Sequence, residues 1–262
     1  MDLLSVETKE EAFNCEKHGA YKAQVWRLNT SSQWCKQECP ECKKENDEAF
    51  RNYENEELAR RHKQEIEDLK SKSLVPLRFR DKTFDNYIPD GDSKALKACR
   101  EYAENFREHK ARGRCLILCG TAGTGKTHLA CSIIDYIITN HLQSAIYTTI
   151  GKAFRTIKST YSRSSDSSEQ KAYSSFVAPS LLVLDEIGVQ YGSEAEKNIL
   201  FEIINDRYEN LKPTIIISNL AINTLTEFAG ERVVDRLKEN GGKLIIFDWK
   251  SYRAMPEDKA AA

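Results

Sequence analysis

The chain has 262 residues, 39 of them Lys or Arg and 40 of them Asp or Glu, which gives a formal net charge of -1. That balance does not by itself indicate a nucleic-acid partner, so any basic surface must be local. No apolar stretch approaches the ~20 residues of a membrane span, and the N-terminus is unlike a signal peptide, so we expect a cytoplasmic protein without a membrane partner.

The first 42 residues concentrate soft metal ligands. Cys15-x-x-His18 and Cys39-x-x-Cys42 form two short knuckles about 20 residues apart, which is typical of structural zinc sites. Because disulfides are rare in the cytoplasm, we expect these four side chains to hold one Zn²⁺. Cys35 is an alternative to Cys39, which we prefer because it alone leaves a two-residue gap before Cys42. Free surface thiols are the competing interpretation.

The segment 43–72 carries dense alternating charge and contains neither glycine nor proline. This composition favours an exposed helix that connects two parts of the chain. We therefore expect a zinc-knuckle module at 1–42, a charged helical linker at 43–76, a nucleotide-binding domain at 77–253 and a C-terminal tail at 254–262.

Strand-like apolar runs alternate with helical stretches beyond residue 76. This alternation predicts an α/β fold whose mostly parallel sheet is covered by helices on both faces. A polar, serine-rich stretch over 159–175 interrupts the pattern. The predicted elements are helix 93–109, strand 115–119, helix 127–140, strand 144–149, helix 151–160, strand 181–184, helix 193–210, strand 214–218, helices 224–228 and 230–238, and strand 243–247.

A glycine-rich loop joins the first predicted strand of this region to the helix that follows. Residues 120–127 match the pattern G-x-x-x-x-G-K-[ST] without a mismatch. Between a strand and a helix, such a loop turns backbone N–H groups towards phosphates, which predicts an ATP site rather than a chance turn. We expect Lys126 to reach the β- and γ-phosphates and the Thr127 hydroxyl to ligate Mg²⁺. The predicted nucleotide-binding residues are Gly120, Thr121, Ala122, Gly123, Thr124, Gly125, Lys126 and Thr127.

Polar side chains end two further predicted strands. Asp185 and Glu186 follow strand 181–184, at the carboxyl end where open α/β sheets bind their ligands. We expect Asp185 to hold Mg²⁺ through its water shell and Glu186 to deprotonate the attacking water. Asn219 follows strand 214–218 and is expected to hold that water near the γ-phosphate. The alternatives are a carboxylate pair that faces solvent and an asparagine that only starts a turn.

The region from about Phe79 to Arg253 resembles the AAA+ helicase loaders of the DnaC-like group, including phage and prophage replication proteins. The resemblance implies an AAA+ P-loop core, Mg²⁺-dependent ATP hydrolysis, and a phosphate loop that extends through His128. It is carried by residues 83–87 (Thr-Phe-Asp-Asn-Tyr), 123–130, 184–190, and the pair 230–236 and 247–253.

The resemblance also implies roles for two arginines. Arg232 corresponds to an inter-subunit arginine that reaches the γ-phosphate in a neighbouring protomer, so it implies self-association through the AAA+ domain. Arg253 corresponds to a sensor arginine that acts on nucleotide in its own subunit, and Arg236 is a weaker inter-subunit candidate. A surface salt bridge is the alternative for each of them.

The N-terminal knuckle is similar to the zinc-containing, helicase-binding domain of DnaI-like loaders. The expected function is therefore ATP-dependent loading of a hexameric replicative helicase onto single-stranded DNA. Lys152, Arg155 and Lys158 recur three residues apart, where related loaders contact DNA, although a solvated helix face explains them equally well. The alternatives are an IstB-like ATPase helper of a transposase and a non-catalytic zinc adaptor that binds DNA.

Overall fold

The computed structural model describes four stretches of the chain: 5–88, 94–161, 168–188 and 193–252. The chain divides into two compact units, Met1–Gln64 and Glu65–Ala262. The division falls inside helix α1, Pro40–Lys72, which begins within the second cysteine knuckle rather than after it. No helix of the described residues is long and apolar enough to cross a membrane.

The N-terminal unit contains an antiparallel hairpin that the sequence analysis did not predict. Strands β1 (Val6–Cys15) and β2 (Gly19–Leu28) pair along their whole length, and the short strand β3 (Cys35–Lys36) pairs with β2. Their residues are mostly exposed, so β1 shows little of the alternation between apolar and polar residues that signals a strand. The hairpin places Cys15 opposite Gly19, which adopts the left-handed conformation at φ +79°.

The C-terminal unit confirms the predicted α/β fold. Among the residues that the structure describes, this unit has five strands, all parallel, in the order β5-β6-β7-β4-β8. The elements of this unit that follow α1 are α2 (Lys94–Glu104), α3 (Phe106–Ala111), β4 (Leu116–Gly120), α4 (Lys126–His141), β5 (Ala145–Thr149), α5 (Ile150–Ser159), α6 (Glu169–Val177), β6 (Leu181–Ile187), α7 (Glu194–Glu209), β7 (Thr214–Ser218), α8 (Ile222–Ala229), α9 (Glu231–Lys238) and β8 (Lys243–Phe247). Short 3₁₀ turns lie at Leu77–Phe79 and Glu239–Gly241.

Both faces of the sheet are covered, as the continuous apolar strands predict. Leu116 and Leu118 of β4 belong to the core that includes residues of α2 and α4, whereas Ile117 and Cys119 belong to the core on the other face. Successive side chains of a strand point to opposite faces, so one strand contributes to both cores. This packing fixes the carboxyl ends of β4, β6 and β7 side by side at one end of the sheet.

Two helices depart from the predicted elements. The predicted helix 93–109 is divided into α2 and α3 at Asn105, whose side-chain amide donates to the Glu101 carbonyl at 3.0 Å. Asparagine competes for backbone groups in this way, which disfavours it inside helices. Helix α6 overlaps the stretch 159–175 that was predicted to be polar, because two buried side chains, Ala172 and Phe176, anchor an otherwise polar segment.

Candidate ATP site and candidate metal centre

Two glycines allow the phosphate loop to pass close to its neighbours. Gly120 ends β4 with φ +138°, and a Cβ there would lie 2.0 Å from the Phe247 carbonyl oxygen. Gly125 precedes α4 with φ +93°, and its Cβ would lie 2.6 Å from the Tyr87 ring. Any other residue would be strained at both positions, so the glycines of the motif follow from the geometry of the loop.

The Lys126 side chain is folded onto the loop that it follows. Its Nζ donates to the carbonyl oxygens of Gly120 at 2.8 Å and Thr121 at 2.6 Å. The residue is only 4% exposed, so its charge lies inside the loop. Phosphate oxygens would offer this ammonium group charged acceptors in place of neutral carbonyls, and charge-assisted hydrogen bonds are the stronger ones.

The carboxylate of Asp185 joins the phosphate loop to the end of β6. Its Oδ2 accepts from the Thr127 hydroxyl at 2.8 Å and from the Tyr147 hydroxyl at 2.8 Å, and its Oδ1 accepts from the Glu186 N–H at 2.6 Å. Burial raises the pKa of Tyr147, and the charge of Asp185 raises it further, so the phenol stays protonated. A hydroxyl and a carboxylate brought together are the oxygen ligands that Mg²⁺ prefers, and the residues therefore fit this ion.

A cleft of about 570 Å³ opens in front of these groups. Glu186 lines it with an exposed side chain and a left-handed backbone at φ +63°, an uncommon conformation for a residue other than glycine. Asn219, directly after β7, also lines the cleft. Sequence reasoning missed two cations of this lining, Arg78 and Lys82, because they belong to no motif.

Aromatic residues surround the phosphate loop on the side of residues 83–87. The His128 Nε2–H donates to the Thr83 carbonyl at 2.9 Å, and the rings of Tyr87 and His128 are nearly perpendicular, with their centroids 5.1 Å apart. The Tyr87 hydroxyl donates to the Thr124 carbonyl at 3.3 Å. Burial lowers the pKa of His128, which favours the neutral ring. His128 therefore links the 83–87 segment to the start of α4.

The segment after β8 binds the phosphate loop directly. The Trp249 indole N–H donates to the Thr124 carbonyl at 3.1 Å, and the Thr121 hydroxyl donates to the Trp249 carbonyl at 3.2 Å. The Tyr252 N–H donates to the Gly123 carbonyl at 3.0 Å. Residues 247–253 were identified in the sequence only by their resemblance to DnaC-like loaders. No local pattern in this segment indicates its contacts with the phosphate loop.

The three candidate arginines have different surroundings. Arg232 is exposed in the first turn of α9 and is not among the residues that line the cleft. The Arg236 guanidinium lies over the rings of Phe201 and Tyr208 of its own chain, at 4.6 and 5.5 Å from their centroids. Arg253 lies outside the described residues.

The basic residues of α5 are not equivalent. The Lys158 ammonium pairs with the Glu196 carboxylate at 2.7 Å, which neutralises its charge. Lys152 and Arg155 are exposed on the same helix. This leaves two of the three predicted DNA-contacting cations on the surface of α5 without a carboxylate partner of this kind among the described residues.

The structure brings Cys15, His18, Cys39 and Cys42 together, with all ligand atoms within 4.8 Å of one another. The Sγ atoms of Cys15 and Cys42 are 3.4 Å apart, and the His18 Nδ1 lies 3.3 Å from the Cys42 Sγ. Ligands at about 2.3 Å from a tetrahedral zinc ion would be separated by about 3.8 Å, so this donor set fits the ion. Cys35 is exposed in β3 and does not belong to the cluster.

Two further observations concern the chemistry of this cluster. Backbone N–H groups of His18 and Lys17 lower the pKa of Cys15 to about 6, which favours the thiolate that metals bind. The His18 Nε2 lies 3.2 Å from a carboxylate oxygen of Glu45. Metal-binding histidines commonly use such an outer carboxylate to fix their orientation. Sequence reasoning missed Glu45, which lies among many other charged residues of α1.

Comparison with known proteins agrees with the geometry of the ATP site. The profile of the family described as IstB-like ATP binding protein matches residues 35–257. The replicative helicase loader DnaC of Buchnera aphidicola subsp. Acyrthosiphon pisum (strain APS) is 37% identical over 173 residues, which cover 65% of this chain and 69% of that protein. For DnaC of Escherichia coli (strain K12), the identity is 34% over 179 residues, with coverages of 68% and 71%.

Solved structures share the fold. The crystal structure of the DnaC helicase loader superposes with a TM-score of 0.59 at 27% identity, covering 66% of this chain and 99% of that one. The crystal structure of DnaI gives a TM-score of 0.56 at 18% identity, covering 68% and 94%, and this likeness concerns the fold alone. The chain therefore belongs to the family of IstB-like ATP-binding proteins, and it is an AAA+ ATPase of the DnaC-like type.

Proposed function

We propose that this ATPase loads a replicative helicase during DNA replication, binding both the helicase and single-stranded DNA under the control of ATP. The observation that carries the proposal is identity of 34–37% with two proteins named replicative helicase loaders, over about two thirds of this chain. The hydrogen bonds from the hydroxyls of Thr127 and Tyr147 to Asp185 support a nucleotide site beside the phosphate loop, through which ATP could control helicase loading.

Within this proposal, each residue of the ATP site has a role. Lys126 binds the β- and γ-phosphates, and the hydroxyl of Thr127 and the carboxylate of Asp185 hold Mg²⁺, which neutralises phosphate charge when it is bound. Glu186 takes a proton from the attacking water, and Asn219 orients that water. The exposed position of Glu186 in the cleft suits a base that must meet water.

Arg232 is proposed to act on the nucleotide of a neighbouring protomer. Its position outside the lining of its own cleft supports an action between subunits rather than within one. A guanidinium group binds phosphate oxygens with two parallel hydrogen bonds, which suits this role. Self-association through the AAA+ domain is therefore part of the proposal.

The N-terminal module is proposed to bind one Zn²⁺ and to contact the helicase. The four clustered ligands and the Glu45 carboxylate beside His18 support a structural zinc site. The unit buries few apolar side chains, chiefly Ala23, Val25 and Cys39, so a bound metal would supply much of its stability.

Single-stranded DNA is proposed to contact α5 through Lys152 and Arg155.

The test is a loading assay on single-stranded DNA coated with its binding protein, using the replicative helicase of the same cell. Wild-type protein with ATP should place the helicase on the DNA, and the Lys126→Ala variant should not.

A parallel co-purification with a transposase tests the IstB-like alternative, which the family profile keeps open. Binding to the transposase and not to the helicase would refute the proposal. The match to an ATP-binding family supports the catalytic proposal over the non-catalytic zinc adaptor, and a measurement of ATP turnover tests that choice.

A further inference from the structure

The hydroxyl of Tyr147 lies at the metal side of the ATP site, although no sequence motif includes this residue. Tyr147 is in the middle of β5 and is only 5% exposed. Its hydroxyl donates to Asp185 Oδ2 at 2.8 Å. A buried phenol that donates to a carboxylate forms a charge-assisted hydrogen bond, which is stronger than a bond between neutral groups.

Tyr147 and Thr127 donate to the same oxygen of Asp185, each at 2.8 Å. The other oxygen of this carboxylate accepts from the Glu186 N–H. Three donors from three different segments therefore restrict rotation of the carboxylate. If Thr127 ligates Mg²⁺ with an oxygen lone pair, its proton can still be donated to Asp185, and Tyr147 then supplies the contact that does not depend on the ion.

A backbone hydrogen bond at the edge of the sheet fixes the position of Tyr147. Strand β5 is an edge strand, and the Tyr147 N–H donates to the Ser73 carbonyl at 2.8 Å. Ser73 is buried, and its hydroxyl donates to the Lys70 carbonyl at 2.7 Å. The Lys70 ammonium in turn pairs with the Asp135 carboxylate of α4 at 2.6 Å. These bonds tie the residue that orients Asp185 to the end of α1.

We propose that Tyr147 is a positioning residue for the magnesium site, because its hydroxyl holds Asp185 in the orientation that binds the ion beside Thr127. The inference rests on the proposed roles of Asp185 and Thr127. Tyr147 acts through Asp185 and contacts neither phosphate nor the reacting water in this assignment. Its loss should therefore weaken the contribution of Mg²⁺ to nucleotide binding and leave the contribution of Lys126 in place.

The experiment compares Tyr147→Phe with wild type by titration with a fluorescent ATP analogue, once with MgCl₂ and once with EDTA. In Mg²⁺ we expect binding to weaken by about tenfold, the lower end of what the loss of an outer partner to a metal ligand costs. In EDTA we expect no change. The ratio of the two dissociation constants is the readout, because a general loss of stability does not alter it.

Tyr102→Phe is the matched control. Tyr102 is also buried, and its hydroxyl donates at the same distance of 2.8 Å, but to the Arg114 carbonyl and away from the ATP site. This variant should lose a comparable hydrogen bond and keep the wild-type ratio. Thermal unfolding of both variants shows that they fold. Should Tyr147→Phe be unfolded at the assay temperature, the titrations are repeated at a lower temperature at which thermal unfolding shows both variants to be folded.

Asp185→Asn separates failure of this inference from failure of the proposed site. If Asp185→Asn removes the effect of Mg²⁺ while Tyr147→Phe leaves the ratio unchanged, the magnesium role of Asp185 stands and the role of Tyr147 is wrong. If neither variant changes the ratio, the proposed site itself is wrong. An equal loss in Mg²⁺ and EDTA would also overturn the inference, since Tyr147 would then only support the loop. In the Asp185→Asn background, Tyr147→Phe should have no further effect on the ratio.

Discussion

The Thr127 hydroxyl donates to the carboxylate of Asp185 at 2.8 Å, although the two residues are 58 positions apart in the chain. One belongs to the first turn of α4 and the other to β6, so the bond connects the phosphate loop with the acidic end of a strand that β7 separates from β4. The bond holds together the two groups that are proposed to bind Mg²⁺. Preorganised groups of this kind bind a charged ligand without the cost of rearrangement.

We expect Lys126→Ala to weaken ATP binding by about 10- to 100-fold, the range for loss of a hydrogen bond to a charged group. Titration with a fluorescent ATP analogue measures this change. Lys212→Ala is the control, since the Lys212 ammonium also donates to a backbone carbonyl, that of Ala178 at 2.9 Å, but lies outside the cleft lining. Equal ATP affinity in Lys126→Ala and wild type would contradict the assignment of the phosphate loop.

Glu186→Gln should keep ATP binding and lower hydrolysis by about 10²- to 10⁴-fold, because the amide has a similar shape but cannot accept the proton. Release of inorganic phosphate under saturating ATP measures the rate. Glu194→Gln, an exposed residue in the first turn of α7, should hydrolyse ATP like wild type. Turnover that survives in Glu186→Gln would show that another group is the base.

Arg232→Ala should lower hydrolysis by about 10³-fold in assembled protein, because a trans arginine stabilises charge only at an interface between subunits. ATP binding by the monomer should stay near the wild-type value. Lys238→Ala, in the last turn of the same helix, serves as the control. Phosphate release and nucleotide titration are measured on the same preparations.

A mixture of the Arg232→Ala and Lys126→Ala proteins gives a sharper test of that arginine. Some interfaces of the mixed assembly pair an intact phosphate loop with an intact arginine, so activity should partly return. If mixtures that are shown to co-assemble stay inactive, Arg232 acts within its own chain or only in folding.

The N-terminal module should contain about one zinc ion per chain when purified under reducing conditions without chelator. Cys39→Ser should lose the metal, because the Cys39 Sγ belongs to the cluster. Cys35→Ser should retain it, since Cys35 is exposed outside the cluster. Elemental analysis of the three proteins decides the matter, and retention in Cys39→Ser with loss in Cys35→Ser would reverse the choice of ligand.

Local patterns predicted much of the nucleotide-binding unit. The strands 214–218 and 243–247 coincide with β7 and β8. β7 is buried along its whole length and is an almost continuous apolar run, as expected of a central parallel strand. β8 is an edge strand, and its apolar residues 244–247 indicated it although Ile246 is exposed. The phosphate loop was equally visible, since its glycines, lysine and threonine are contiguous. The hairpin of β1 and β2 was not predicted, because β1 is mostly exposed and charged and shows little of the alternation of a strand.

The sequence by itself determined which residue types could bind phosphate, magnesium and zinc, since each motif sets its chemistry within a few positions. Only the tertiary structure decided that Tyr147 holds Asp185 and that Trp249 binds the phosphate loop. It also revealed that Arg207 is fully buried, with its guanidinium donating to backbone carbonyls such as those of Phe176 and Pro213. These contacts join residues that are distant in the chain, and their geometry depends on how the helices pack against the sheet. A local pattern therefore carries no trace of them.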